Sequence, residues 1–226
     1  MPENSNKPKY IATQLIFHLP FSVFGVMLAL LSMGFLTFIA IIIRAEDMIP
    51  AASQELFHVF HASHILISSV ATTAMFRKHD NSIWKALIVG IAGSVLICGI
   101  SDYYFPYIGG LFIESNMHLH ICLIEEPMLV LSFAVVGTLA GLGAHRGFEK
   151  ATQYSHSFHV FVSSVASLLY LMSFGLVEWT HAIGAVFAIT ILAVMLPCCL
   201  SDIVFPLMCS HSQCRHTDVM EEEHVL

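Results

Sequence analysis

Between Leu15 and Ile43 the chain carries no Asp, Glu, Lys or Arg, and five further apolar runs follow, each ended by a short polar or charged stretch. This pattern constrains the fold more than any other feature. A run of this length exceeds the apolar region of a signal peptide and is long enough to cross a bilayer. Backbone amides in hydrocarbon must be paired within the segment, so such runs predict helices. The composition agrees: 57% of residues are hydrophobic and only 11% are charged, a balance that leaves too little polar surface for a water-soluble globule of this size. The class expected is an all-α integral membrane protein.

Six spans are predicted, at about 15–43, 56–76, 84–107, 121–144, 155–177 and 181–208. Of the nine Lys and Arg residues, Lys7, Lys9, Arg77, Lys78, Lys85, Arg146, Lys150 and Arg215 fall on one side of this arrangement and Arg44 on the other. The positive-inside rule therefore puts both termini in the cytoplasm, in a multi-pass protein of the plasma or inner membrane. Trp84 and Trp179 then fall at opposite interfaces as expected anchors.

Two strings recur in the same order. H-x-x-H-x-x-x-S-S-V-A occurs at His61–Ala71 and again at His156–Ala166, and C-x-x-S-D-x-x-F-P occurs at Cys98–Pro106 and again at Cys198–Pro206. The chain thus reads as two three-helix repeats, residues 1–110 and 111–208, with a tail at 209–226. An odd number of spans per repeat makes the second copy enter the membrane from the opposite side, an inverted repeat like that of many secondary carriers. His18-Leu19-Pro20 opens span one and Glu125-Glu126-Pro127 opens span four. Each proline stands where a kinked or interrupted helix would line a cavity.

Helical periodicity puts His61, His64, Ser68 and Thr72 on one face of span two, and His156, His159, Ser163 and Ser167 on one face of span five. It likewise pairs Cys98 with Asp102 and Cys198 with Asp202, with Pro106 and Pro206 marking a stop or bend. Sorted by the orientation above, His61, His64, Asp102, Cys98, Glu125 and Glu126 fall in the outer half, and His156, His159, Asp202, Cys198 and His18 in the inner half. Imidazole, carboxylate and thiolate suit a divalent transition metal, Zn2+ or Fe2+ first and Mn2+, Co2+ or Ni2+ after them. Each such residue alone is as well explained by helix–helix hydrogen bonding, but ionisable groups in a bilayer are costly and usually functional, which favours chemistry for the repeated set. Gly137, Gly141 and Ala144 read as close-packing positions. His58 is a weaker candidate because its counterpart is Gln153, and His118 and His120 in the outer connection read first as a solvated loop and second as residues that collect metal at the entrance. The tail spacing Cys209, His211, Cys214, His216 is compatible with a further, weaker zinc site.

The expected function is secondary transport of a divalent transition metal by alternating access, with protons exchanged for the ion and no enzymatic activity, organic cofactor or nucleic-acid partner. The lipid bilayer, the metal ion and protons are the partners, and a homo-oligomer is compatible with the chain. Two alternatives differ in class. A b-type haem electron-transfer protein would use histidines from facing helices. A membrane-embedded metal hydrolase would use Glu125 or Glu126 as base, although the arginine of an E-E-x-x-x-R motif is replaced by Val130.

Overall fold

The computed structural model describes residues 7–144, 152–176 and 179–209; side chains at 7–12, 14, 15, 17, 78, 79, 152–156, 196 and 198–209 lie outside the description. The described residues form helices joined by short turns, with no strand among them. They are α1 (Lys7–Ile42), α2 (Ile49–His79), α3 (Ile83–Gly99), a π turn (Ile100–Tyr104), α4 (Phe105–Leu111), α5 (Cys122–Glu125), α6 (Pro127–Ala144), α7 (Thr152–Ser173) and α8 (Ile183–Cys209). Among the described residues, four stretches are long and apolar enough to cross a membrane: His18–Ile42, Glu46–Arg77, Ile83–Leu111 and Pro127–Ala144. Ser157–Ser173 and Trp179–Met195 are shorter apolar helices.

The helices differ from the predicted spans in ways that matter for the site. α2 starts at Ile49, seven residues before the predicted Leu56, because Pro50 occupies the first turn, where its missing N–H costs nothing. His64 therefore lies near the middle of α2 rather than towards its start. Span four begins at Pro127, not near 121: Glu126 leaves the helical region (φ −128°, ψ 53°) and separates α5 from α6, as the residue before proline commonly does. Pro20, by contrast, lies inside the continuous helix α1.

α7 is buried nearly all round from Val162 to Met172, so it is the central helix, flanked by α1, α2 and α8. α2 packs against α3, α6 and α7; α1 packs against α7 and α8; α6 packs against α2 and α3. Close approach rests on small residues, as in lipid, where burial of apolar area does not favour one helix contact over another. An added Cβ at Gly137 would stand 2.5 Å from the Leu66 carbonyl oxygen, and one at Gly141 would stand 2.7 Å from that of Val70. At Gly25 it would meet Val160 Cγ1 at 2.9 Å. Trp84 is exposed at 78%, as an interfacial anchor would be, whereas Trp179 is only 3% exposed. Trp179 packs into the apolar core, which corrects its expected interfacial role.

Candidate functional site

α2 presents His58, His61 and His64 at three-residue intervals, one turn apart along one side of the helix. The lower two meet Asp102. His61 Nδ1 and His64 Nδ1 each donate to Asp102 Oδ2, at 2.8 and 2.7 Å, and Ser163 Oγ of α7 donates to Asp102 Oδ1 at 3.0 Å. All four groups are buried, Asp102 and His64 completely. A buried carboxylate is tolerated when its lone pairs are used in this way, so the histidines and the serine offset the cost of desolvation.

Local backbone geometry aims Asp102. It lies in the π turn, where Phe105 N–H reaches back five residues to Ile100 O. The equivalent donor to Ser101 O would be the N–H of residue 106, which proline lacks. Ser167 Oγ of α7 supplies that bond instead, at 3.1 Å, and Ser101 Oγ donates to Ser163 Oγ at 2.7 Å. The S-D-x-x-F-P string thus encodes a π turn, a form that often marks functional sites in helices, and its orphaned carbonyl is repaired by the serines of the other repeated string. Cys98, one helical turn before Asp102 in sequence, is a buried free thiol in the core.

His64 links the two copies of the repeated string. Its Nε2 lies 2.6 Å from Nε2 of His159, the corresponding residue of the second copy, with ring centroids 4.6 Å apart. His64 and His159, sorted by orientation into opposite halves with convergence on one site as the alternative, meet in the fold because α2 packs directly on α7 and His64 sits at mid-helix. When His64 is neutral, with its Nδ1–H given to Asp102, its Nε2 is the acceptor and His159 Nε2–H the donor; when it is protonated, the roles reverse.

A second group lies one turn further up α2. The connection from α4 to α5 returns across the end of α7: His118 N–H donates to Phe174 O at 2.8 Å, Tyr170 Oη donates to His118 O at 3.2 Å, and His120 N–H donates to Tyr170 Oη at 3.1 Å. Gly175, at φ +154°, lets the chain turn against Met117. This anchoring puts His120 Nε2 3.2 Å from His58 Nε2, with Cys122 beside them. One ligand atom of each of the three lies within 4.8 Å of the others. His120 Nδ1 bonds Glu125 Oε2 at 2.9 Å, and its ring stacks on Phe174 at 4.5 Å and 10°. Outside the spans, burial lowers the His120 pKa against the raising effect of Glu125, and burial with the nearby carboxylates of Asp102, Glu125 and Glu126 pushes the Cys122 thiol up to about 12.

The other predicted residues are distributed as follows. Glu125 is exposed and belongs to this second group, while Glu126 is exposed on the helix break. His18 is half-buried on α1. The side chains of His156, Cys198, Asp202 and Cys209 lie outside the described residues, as do His211, Cys214 and His216 altogether. Sequence reasoning held His58 as a weaker candidate and His120 as a possible metal collector in a loop, and did not connect Cys122 with them, because they belong to no repeat and come together only through the folded connection; the spacing H-x-C at His120–Cys122 was the available signal. No protein family, no curated protein and no solved structure matches the chain.

Proposed function

We propose that the chain is a secondary transporter of a divalent transition metal ion, Zn2+ or Fe2+, working by alternating access through two inverted three-helix repeats. The observation that carries this reading is the 2.6 Å contact between His64 and His159, corresponding residues of the two copies, with Asp102 behind them in a buried setting. Ionisable groups in apolar helices are costly and mark ion or proton pathways.

The chemistry follows from the hydrogen bonds. Two Nε2 atoms bonded to one tetrahedral ion at about 2.0–2.1 Å stand about 3.3 Å apart. The rings of His64 and His159 must separate by a little under an ångström, and His159 must lose its Nε2 proton, for both to become ligands. The pair exchanges a proton for the ion when it starts as an imidazolium–imidazole pair beside Asp102, whereas a neutral pair only moves the His159 proton to Nδ1; re-forming the imidazole contact expels the ion: one site in two states. Asp102 holds His64 in the required tautomer.

The helix neighbours support the inverted repeat. α1 packs on α7 and α8 while α6 packs on α2 and α3, the exchange expected if a two-fold axis in the membrane plane carries α1, α2 and α3 onto α6, α7 and α8. The His64–His159 pair then lies at that axis, where both sides of the membrane have equal access. The lysines and arginines orient both termini to the cytoplasm.

The test is metal flux with proton flux in vesicles reconstituted with the purified chain. Uptake of Zn2+ or Fe2+ with opposite proton movement is expected, abolished in His64→Gln and in His159→Gln that remain folded. Absence of any metal-dependent flux in the unaltered chain sinks the reading.

A further inference from the structure

We propose that His58 Nε2, His120 Nε2 and Cys122 Sγ form a second binding site, for a divalent ion of the zinc type, with Glu125 holding the His120 ring. The three donors come from α2, from the connection and from α5, so only the fold assembles them. Their dimensions suit the ion: the 3.2 Å between the imidazole nitrogens is close to the roughly 3.3 Å edge of a tetrahedron with about 2.05 Å metal–nitrogen bonds. Two imidazoles and a thiolate select zinc-type ions over Mg2+ and Ca2+, which take oxygen ligands.

The surroundings are those of a metal ligand set. The Glu125 carboxylate accepts from His120 Nδ1 at 2.9 Å, the carboxylate–histidine arrangement that fixes the tautomer and leaves Nε2 unprotonated for the ion. Phe174 and Phe57 pack on the His120 ring and exclude water. Cys122 and His120 are buried, while His58 is half-buried and Glu125 is exposed, which leaves an approach from solvent. Binding releases the Cys122 thiol proton, while the proton between the two imidazoles moves to Nδ1 of His58. Three protein ligands leave the fourth coordination position to water, as suits an ion that must leave again. His58 lies one turn from His61, so the site stands next to the central histidines. A role as loading station for them rests on the transport reading, whereas the site itself does not.

The experiment is Co2+ titration of the purified full-length chain in detergent, with Cys209→Ser and Cys214→Ser to remove the tail thiols. One equivalent should produce a thiolate-to-cobalt charge-transfer band that Cys122→Ser abolishes. His58→Gln and His120→Gln should each weaken binding at least tenfold, and Glu125→Gln should weaken it by about 10- to 100-fold with the band kept. The same band in Cys122→Ser overturns the proposal. So does unchanged affinity in both His58→Gln and Glu125→Gln, which decides the matter if Cys122→Ser does not fold. His64→Gln separates the two readings: it should stop vesicle flux and leave the band intact. A band without flux in the unaltered chain keeps this site and removes the transport reading; flux without a band does the reverse.

Discussion

Asp102 accepts hydrogen bonds from two histidines and a serine while fully shielded from solvent, so each donor can be weighed by what its loss leaves behind. Ser163→Ala removes the donor to Oδ1 and leaves a buried carboxylate oxygen unpaired, which should cost about 1–3 kcal/mol of stability. Ser164→Ala is the control, because its hydroxyl donates only to Val160 O in its own helix, at 2.7 Å, where the backbone bond persists without it. Thermal melting in detergent should separate the two variants clearly; equal midpoints would mean that Ser163 does not support Asp102. The residues of this cluster were legible as a set of side chains because the repeated strings isolate them. Their partners were not, since sequence spacing gives the face of a helix but not which helix it meets. The lysine and arginine count put His159 in the other half from His64, and Ser163 and Ser167, which spacing set on the face of His159, donate to Asp102 and to a π-turn carbonyl.

Among the elements, the joint between α3 and α4 is the most informative, because a backbone defect there is repaired by a side chain from another helix. Pro106 denies Ser101 O its backbone donor and Ser167 Oγ replaces it. Ser167→Ala alone should therefore destabilise the fold by about 1–3 kcal/mol, the cost of an unpaired buried carbonyl. In a Pro106→Ala background the restored N–H can serve that carbonyl, and the same substitution should cost about 1 kcal/mol less. A double-mutant cycle in thermal stability measures this coupling, and additivity of the two changes would refute the repair. A second element-level prediction concerns the α2–α6 seam. Gly137→Leu drives a side chain into the Leu66 carbonyl and should destabilise by about 1–3 kcal/mol or more. Gly143→Leu, with nothing within 4 Å, should be near neutral by the same melting measurement. These glycines were readable from sequence because small residues in an apolar helix have few other uses. The π turn was not, because a single extra residue in a helical turn leaves no trace in hydrophobic periodicity, and a proline signals only that something must bend.

For the whole molecule, the exchange of helix neighbours and the distribution of lysine and arginine bear on one claim from independent directions. The first concerns packing and the second concerns insertion. If the halves are inverted, the turn joining α2 to α3 and the connection joining α4 to α5 must face opposite sides of the membrane, because one apolar stretch, Ile83–Leu111, separates them. Asn81 in the first and Ser115 in the second are both exposed, so each can report its side. In a chain whose six native cysteines are replaced, Ser115→Cys should react with a membrane-impermeant thiol reagent applied to intact cells, and Asn81→Cys only after the membrane is opened. Reversal of this pattern would turn the molecule over and move the His58–His120–Cys122 group to the cytoplasmic face, where it would meet an ion leaving an importer rather than entering one. Labelling of both positions from one side would remove Ile83–Leu111 as a span, and with it the odd number of crossings that makes the repeats inverted.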